Sequence, residues 1–291
     1  MTAELPSGSG RRIPGRSAGL LGDLARDRPR VLTLDDLSAY LAGEASPRDP
    51  ARTARQLQRL GWLTPTPLNG AWAFVPPGED EVVDRYLGLR AWRAREPEAL
   101  FALAGEAAAW HLGYLDREFD GPVAVWIPRD TRLPFGLRSV VSEVTLGWHS
   151  EDAPRLGPSP QMLQRRRLDL TGWADGLPAF GPEALLVQVS ARGASFRSWA
   201  DLVPHLDQLA SDCSLNRLIP LLAGRSASTW QRAAYLLDRG DQAEDAGALL
   251  AERPSGPLVK VQLGAGPRQS WAPRFQIVDH VVAPLQAQLV R

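Results

Sequence analysis

Through the first quarter of the chain, apolar residues recur at helical spacing; beyond it, short apolar runs alternate with turns. Over residues 16–26, Leu20, Leu21, Leu24 and Ala25 fall on one side of a helix. A short strand is expected over residues 30–33. Thr33, with Asp36 three positions on, forms a capping box in which Asp replaces Glu. It opens a helix over residues 33–42 with Leu34, Leu37 and Leu41 inward and Tyr40 alongside, and Gly43 ends it. The next helix, residues 50–60, has Asp49 as its cap, Pro50 in its first turn and Gly61 as its stop. Ala54, Leu57 and Leu60 make its apolar side. Arg52, Arg55, Gln56 and Arg59 stand at i, i+3, i+4 and i+7, one stripe on the other side. Trp62-Leu63 and Trp72-Ala73-Phe74-Val75 read as two strands turned at Asn69-Gly70, a strong hairpin signal, with Pro65 and Pro67 confining their segment to an edge. Two helices and a hairpin, with guanidiniums along the second helix, predict a winged helix-turn-helix.

After Pro76-Pro77-Gly78 a polar stretch leads into a linking helix over residues 86–94, and a larger region begins near Pro97. A helix is expected over residues 99–112, with Leu100, Leu103, Ala107, Trp110 and His111 on one face. Strands are expected over 123–127 and 140–146. Residues 184–189 are a short apolar run, helices follow over 202–222 and 228–237, and late strands over 258–263 and 275–278. Without clean alternation of strand and helix, the fold class is α+β rather than a doubly wound sheet. The expected organisation is a flexible N-terminal arm (1–15), a winged helix-turn-helix domain (16–78), a linker helix (79–96) and an α+β interaction domain (97–291).

Composition narrows the function classes. At 44% hydrophobic and 23% charged residues the chain is ordinary globular protein, and its net charge of zero excludes a wholly basic coat for nucleic acid. The charge is unevenly placed: residues 1–75 hold ten Arg against seven Asp plus Glu, so the front is basic and the rear slightly acidic. Cys213 stands alone, which leaves no disulfide framework and no cysteine zinc site. The Gly/Ser/Pro-rich start lacks the apolar stretch of a signal peptide, and no apolar run is long enough to span a bilayer; a cytoplasmic protein is expected.

Arg and Gln are the side chains that reach phosphates and base edges in a major groove. Arg52, Arg55, Gln56 and Arg59 are therefore the candidate DNA-binding residues, with Arg48 and Thr53 near the helix start beside them. The hairpin carries no Lys or Arg between Trp62 and Val75. Arg11 and Arg12 on the arm, with Arg16, could supply that charge from an adjacent minor groove, or belong to an unengaged tail. Arg165-Arg166-Arg167 reads as a surface run, Asp116, Glu118 and Asp120 as a polar turn rather than a metal site, and Asp238, Asp241, Glu244 and Asp245 as a solvated patch. The ten tryptophans are mostly core.

Catalysis finds no footing in the sequence. His111, His149, His205 and His280 are isolated from one another and from Cys213, and no hydrolase elbow, zinc-binding helix or phosphate loop is present. Lys260, the single lysine, is preceded two residues earlier by Leu258 rather than an acid, so the acid–x–lysine pair of a nuclease strand is missing. No catalytic residue, metal or cofactor is expected.

The order and spacing of four segments resemble the AbiEi antitoxin family of type IV toxin–antitoxin systems, in its actinobacterial branch. The head, residues 33–75, resembles that family's N-terminal winged helix. Leu103-Ala104-Gly105-Glu106-Ala107-Ala108-Ala109-Trp110-His111-Leu112-Gly113 is similar to its small-residue helix. Gly181-Pro182-Glu183-Ala184-Leu185-Leu186 stands where the family has a Pro-Glu-(small)-Leu-Leu segment, here followed by Val187-Gln188 instead of Asp. Trp230-Gln231-Arg232-Ala233-Ala234-Tyr235-Leu236-Leu237 resembles its Arg-(small)-Gly-Tyr-Leu-Leu helix, with Ala234 for Gly. The resemblance implies a repressor that binds double-stranded promoter DNA carrying inverted repeats, and an antitoxin that counters a nucleotidyltransferase-type toxin with or without a stable complex. The alternatives are a protein-interaction module whose helix-turn-helix persists only as a fold, and a degenerate nuclease-like domain.

Overall fold

The computed structural model describes residues 11, 13, 15–42, 49–157 and 177–289. Arg12, Arg48 and the run at residues 165–167 lie outside the described residues. The chain divides into two units, Met1–Ala99 with Leu133–Val140, and Leu100–Arg132 with Val141–Arg291.

The first unit runs α1 (Ala18–Asp27), β1 (Leu32–Thr33), α2 (Leu34–Leu41), α3 (Pro50–Arg59), β2 (Leu63–Pro65), β3 (Ala71–Phe74) and α4 (Leu87–Arg95). Arg28, at φ 47°, turns the chain out of α1 and donates its N–H to the Leu24 carbonyl. The capping box at α2 is complete: the Asp36 N–H donates to Thr33 Oγ1 at 3.2 Å and the Thr33 N–H to Asp36 Oδ2 at 2.8 Å. The three strands form an antiparallel sheet in the order β1-β3-β2, with Leu32 opposite Trp72 and Leu63 opposite Phe74. Alternation along β3 sends Trp72 and Phe74 to one face, where they join Leu20, Leu24, Leu37, Ala54 and Leu57 in the core. Ala71 and Ala73 are buried on the other face, and their small side chains leave room for α4, which packs on β1 and β3. The hairpin turn has Gly70 at φ 78° between the Leu68 carbonyl and the Ala71 N–H that bonds it, while Asn69 stays out of the left-handed region. That is a type II pattern rather than the mirror-image turn that Asn-Gly most often makes.

Two parts of this unit depart from the expected boundaries. The helix expected as a linker is α4, and it buries Leu89, Ala91 and Trp92 within the first unit. Residues Leu133–Val140, expected in the larger domain, rejoin the first unit. Leu137 is fully buried there. A Cβ at Gly88 would lie 2.6 Å from Leu137 Cδ2, and one at Gly136 would collide with the Pro67 carbonyl oxygen, so both glycines mark a seat that admits no side chain.

The second unit holds β4 (Ala102–Leu103), α5 (Gly105–His111), β5 (Val123–Trp126), β6 (Val141–Val144), α6 (Ala153–Leu156), α7 (Pro182–Arg192), α8 (Trp199–Leu202), α9 (Leu206–Asp212), α10 (Leu215–Leu222), α11 (Ala227–Arg239), α12 (Ala243–Ala251), β7 (Val261–Leu263), β8 (Ser270–Ala272), β9 (Ile277–Asp279) and α13 (Val282–Leu289). One sheet has the order β4-β5-β6 and the other β7-β9-β8, each with one antiparallel and one parallel pair. The α+β class expected from the sequence holds. The central element is α7: Pro182 through Ser190 are all buried, and it packs against α5, α9, α10 and α11.

Several sequence expectations shift here. The helix expected over 99–112 is cut short because Leu103 is a strand residue: its N–H donates to the Pro178 carbonyl and its own carbonyl accepts from the Phe180 N–H. Gly105, at φ 52°, then lets the chain turn into α5. The 184–189 run is the middle of helix α7. The 202–222 helix is broken at Pro204 and again at Cys213-Ser214 into α8, α9 and α10. Lys260 precedes β7 instead of lying on it.

Candidate nucleic-acid interface

Helix α3 is fixed before any ligand arrives. Asp49 Oδ1 accepts the Ala51 N–H at 2.9 Å, and Ala54 and Leu57 are fully buried. The opposite side presents Arg52, Arg55, Gln56, Gln58 and Arg59, all exposed. Arg55 Nε donates to the Ala51 carbonyl and Arg59 Nε to the Arg55 carbonyl, so both guanidiniums lie along the helix. Arg52, Arg55, Gln58 and Arg59 line one open groove. Among the described residues, none of these three arginines is ion-paired to a carboxylate. Charge held unpaired on a rigid helix is available to a phosphate or a base edge.

Of the sequence-derived candidates, Arg52, Arg55 and Arg59 come together and Gln56 is exposed outside that groove's lining. Thr53 does not join them: it is buried, and its hydroxyl donates to the Asp49 carbonyl at 3.0 Å. A side chain turned into the first turn of its own helix cannot reach a base. Gln58 was missed by the stripe argument. Its Oε1 accepts from Trp72 Nε1 at 3.2 Å, which ties the arginine face of α3 to β3. The signal was Trp72, an indole N–H on a half-buried strand position that needed an acceptor.

Arg11 corrects a second expectation. Its guanidinium sits 4.6 Å over the Trp62 ring and donates to the carbonyls of Gly61, Val75, Pro76 and Glu79. It is engaged at the base of the hairpin rather than reaching outward from an arm. Arginine suits this position because its fork serves several acceptors at once.

In the second unit the family-like segments meet through buried polar contacts. Gly105 N–H donates to Gln188 Oε1 at 2.7 Å, joining the small-residue helix to α7. Glu183 is buried and holds both the Ser214 N–H at 3.0 Å and Arg217 at 2.8 Å. Tyr235 donates to Asp279 Oδ2 at 2.7 Å, and burial, followed by the Asp279 charge, pushes its phenol well above the usual range. Asp279 Oδ1 in turn accepts the N–H groups of Val281 and Val282. These groups are spent on holding helices and strands together.

The unit has a charged cleft lined among others by Glu106, Arg117, Arg197 and Asp201, two of whose carboxylates are engaged from within it. The Arg197 N–H donates to Glu106 at 2.6 Å, and Arg117 meets Asp201 at 3.2 Å. Asp116 pairs with His205 at 2.9 Å, and among the described residues no group of three His, Cys, Asp or Glu could hold a metal. Burial pushes the Cys213 thiol up, as does Glu183, which disfavours the thiolate a nucleophile needs. Among the described residues no helix is long and apolar enough to cross a membrane.

A family model described as the AbiEi antitoxin C-terminal domain matches residues 101–239. The crystal structure of RV2827C protein from Mycobacterium tuberculosis is similar over 98% of this chain and 98% of that one, with 50% sequence identity and a TM-score of 0.88. No curated protein matches the chain. With this domain model over most of its second unit, the chain belongs to the AbiEi antitoxin family, with the antitoxin role in a toxin–antitoxin system that membership carries.

Proposed function

We propose that the first unit works as a winged helix-turn-helix, that it represses the protein's own operon, and that the second unit counters a nucleotidyltransferase-type toxin. The observation that carries the DNA-binding part is the exposed Arg52–Arg55–Arg59 face of α3, ion-paired to no carboxylate among the described residues, fixed by a buried opposite side and tied to the hairpin through Gln58 and Trp72. The order of elements from α1 to β3 supports a winged-helix reading, in which the second helix of the helix-turn-helix enters the major groove. Arg52 and Arg55, nearer the helix start, are the base-reading residues; Arg59 and the flanking chain engage phosphate. Two copies on an inverted repeat would read two half-sites and block promoter access. This activity belongs where the DNA is, in the cytoplasm, and needs no cofactor or catalytic residue.

Fluorescence anisotropy with the DNA upstream of the gene tests the reading. Arg52→Ala or Arg55→Ala should each weaken specific binding by ~1–3 kcal/mol and relax selection at one base pair. Wild-type affinity in Arg52→Ala, Arg55→Ala and Arg59→Ala alike would leave the protein as an interaction module only. The toxin half is tested by co-expression with a nucleotidyltransferase-type toxin: growth should be restored by the full chain and by the α3 variants alike, and failure of the full chain to restore it would refute this half.

A further inference from the structure

The hairpin has one property that a DNA-contacting wing should not have. From Trp62 to Val75 it contains no Lys or Arg, so it offers a phosphate no charge of its own. Arg11, the guanidinium of the N-terminal arm among the described residues, is consumed by four carbonyls at the hairpin's base. Two other guanidiniums are placed on the wing from later in the chain. Arg95, at the end of α4, donates to the carbonyl of Asn69 in the turn at 2.7 Å. Arg138 belongs to the returning segment Leu133–Val140, which is seated on Pro67 and Leu68 by Gly136 and on Gly88 by Leu137.

That segment also holds an exposed aromatic side chain. Phe135 is 84% exposed although both its neighbours in the seat, Gly136 and Leu137, are packed. The Arg138 guanidinium lies 5.5 Å from its ring centroid. An aromatic ring held in water, on a short stretch anchored at Pro67, Leu68 and Gly88 and with the Arg138 guanidinium beside it, is pre-organised for a ligand that is both apolar in its groove and anionic at its edges. The minor groove of a duplex has that chemistry: sugar walls and base edges between two rows of phosphates, into which DNA-bending proteins set Phe, Leu or Pro beside Arg.

We infer that the wing of this protein is composite: the β2–β3 turn supplies the scaffold, while Phe135 and Arg138 of the returning segment, with Arg95, make its contact with double-stranded DNA, Phe135 in the minor groove beside the site of α3. The inference rests on the DNA-binding reading of the first unit and adds to it residues outside the helix-turn-helix. It explains why a wing without charge is retained beside an arginine-rich α3. It also explains why Gly136 and Gly88 are glycines, since a side chain at either would lift Phe135 off its seat.

The experiment uses the full chain and a labelled duplex from upstream of its own coding sequence, titrated at several salt concentrations. The variants are Phe135→Ala, Phe135→Leu, Arg138→Ala and the triple Arg52→Ala/Arg55→Ala/Arg59→Ala, each checked for an unchanged thermal midpoint. Phe135→Ala should weaken binding about tenfold with the salt slope unchanged, because an apolar contact releases no counterion. Phe135→Leu should retain most of the affinity. Arg138→Ala should lower the slope by about 0.9. Hydroxyl-radical cleavage, which reports the minor groove, should show a protected tract beside the α3 site that Phe135→Ala loses. If the triple variant loses binding while Phe135→Ala and Arg138→Ala both stay within about twofold of wild type with the tract still protected, the composite wing is overturned and α3 stands. If the triple variant binds normally while Phe135→Ala does not, α3 reading fails and the Phe135 contact stands. Loss of toxin neutralisation in Phe135→Ala with unchanged DNA affinity would assign the ring to a protein partner and overturn the inference.

Discussion

Replacing Arg11 with alanine separates a structural staple from a DNA-reaching arm. The side chain makes two part-buried bonds, to the Val75 carbonyl at 2.9 Å and the Pro76 carbonyl at 2.8 Å, and two exposed ones, to Gly61 and Glu79. Hydrogen bonds from a charged donor contribute ~1.5–3 kcal/mol each when sheltered and little when exposed. The Trp62 face adds ~0.5–1 kcal/mol. Against this stands ~2 kcal/mol for immobilising a long side chain. The net expectation is about 1.5–5 kcal/mol, which in local opening is at least a roughly tenfold loss of protection. Hydrogen exchange followed by mass spectrometry on peptides covering residues 62–79 reads this directly in the full chain. Arg11→Lys should restore little, since one ammonium cannot span four carbonyls. Unchanged protection in Arg11→Ala, combined with weaker DNA binding at low salt, would show that the residue serves the duplex and refute the staple.

Three further outcomes follow from the packing. Burial, then the hydrogen bond and charge of Asp27, push the Tyr40 phenol up to about 12. The folded protein therefore holds that proton more tightly than the unfolded chain: this contribution is intact below about pH 10 and is lost as pH rises toward 12, so alkaline melts should steepen in the wild type and flatten in Tyr40→Phe. Leu57→Ala empties a fully buried position behind the arginine face and should cost ~2–5 kcal/mol in urea melts, with DNA affinity falling only as far as the unit unfolds. Glu183→Ala removes the acceptor of Ser214 N–H and the partner of Arg217, and should destabilise by ~1–3 kcal/mol in chemical denaturation, while Glu183→Gln, which keeps an acceptor for Ser214, should cost less.

What could be seen in the sequence was local. Thr33 with Asp36, Asp49 with Pro50, and the Arg52–Arg55–Arg59 spacing are written within one or two helical turns, and α2 and α3 fall where they predict. Helix α7 escaped notice for a physical reason: buried on every side from Pro182 to Ser190, it has no polar face and hence no period to detect. Leu103 looked helical because its partners, Pro178 and Phe180, are far along the chain. The site shows the same division. Three arginines could be grouped by spacing, whereas the engagement of Arg11, the burial of Thr53 and the bond from Trp72 to Gln58 depend on contacts that spacing does not encode.

Because the first unit borrows Leu133–Val140 from beyond the start of the second, no single cut in the gene separates the two. A fragment ending near residue 96 would be made with Pro67 and Gly88 facing water where Leu137 should lie. On the ribosome, the head waits for its last piece until after β5 has been synthesised, so it closes only once the second unit has begun to emerge. Grafting this head onto another body would need the distant octapeptide supplied as well.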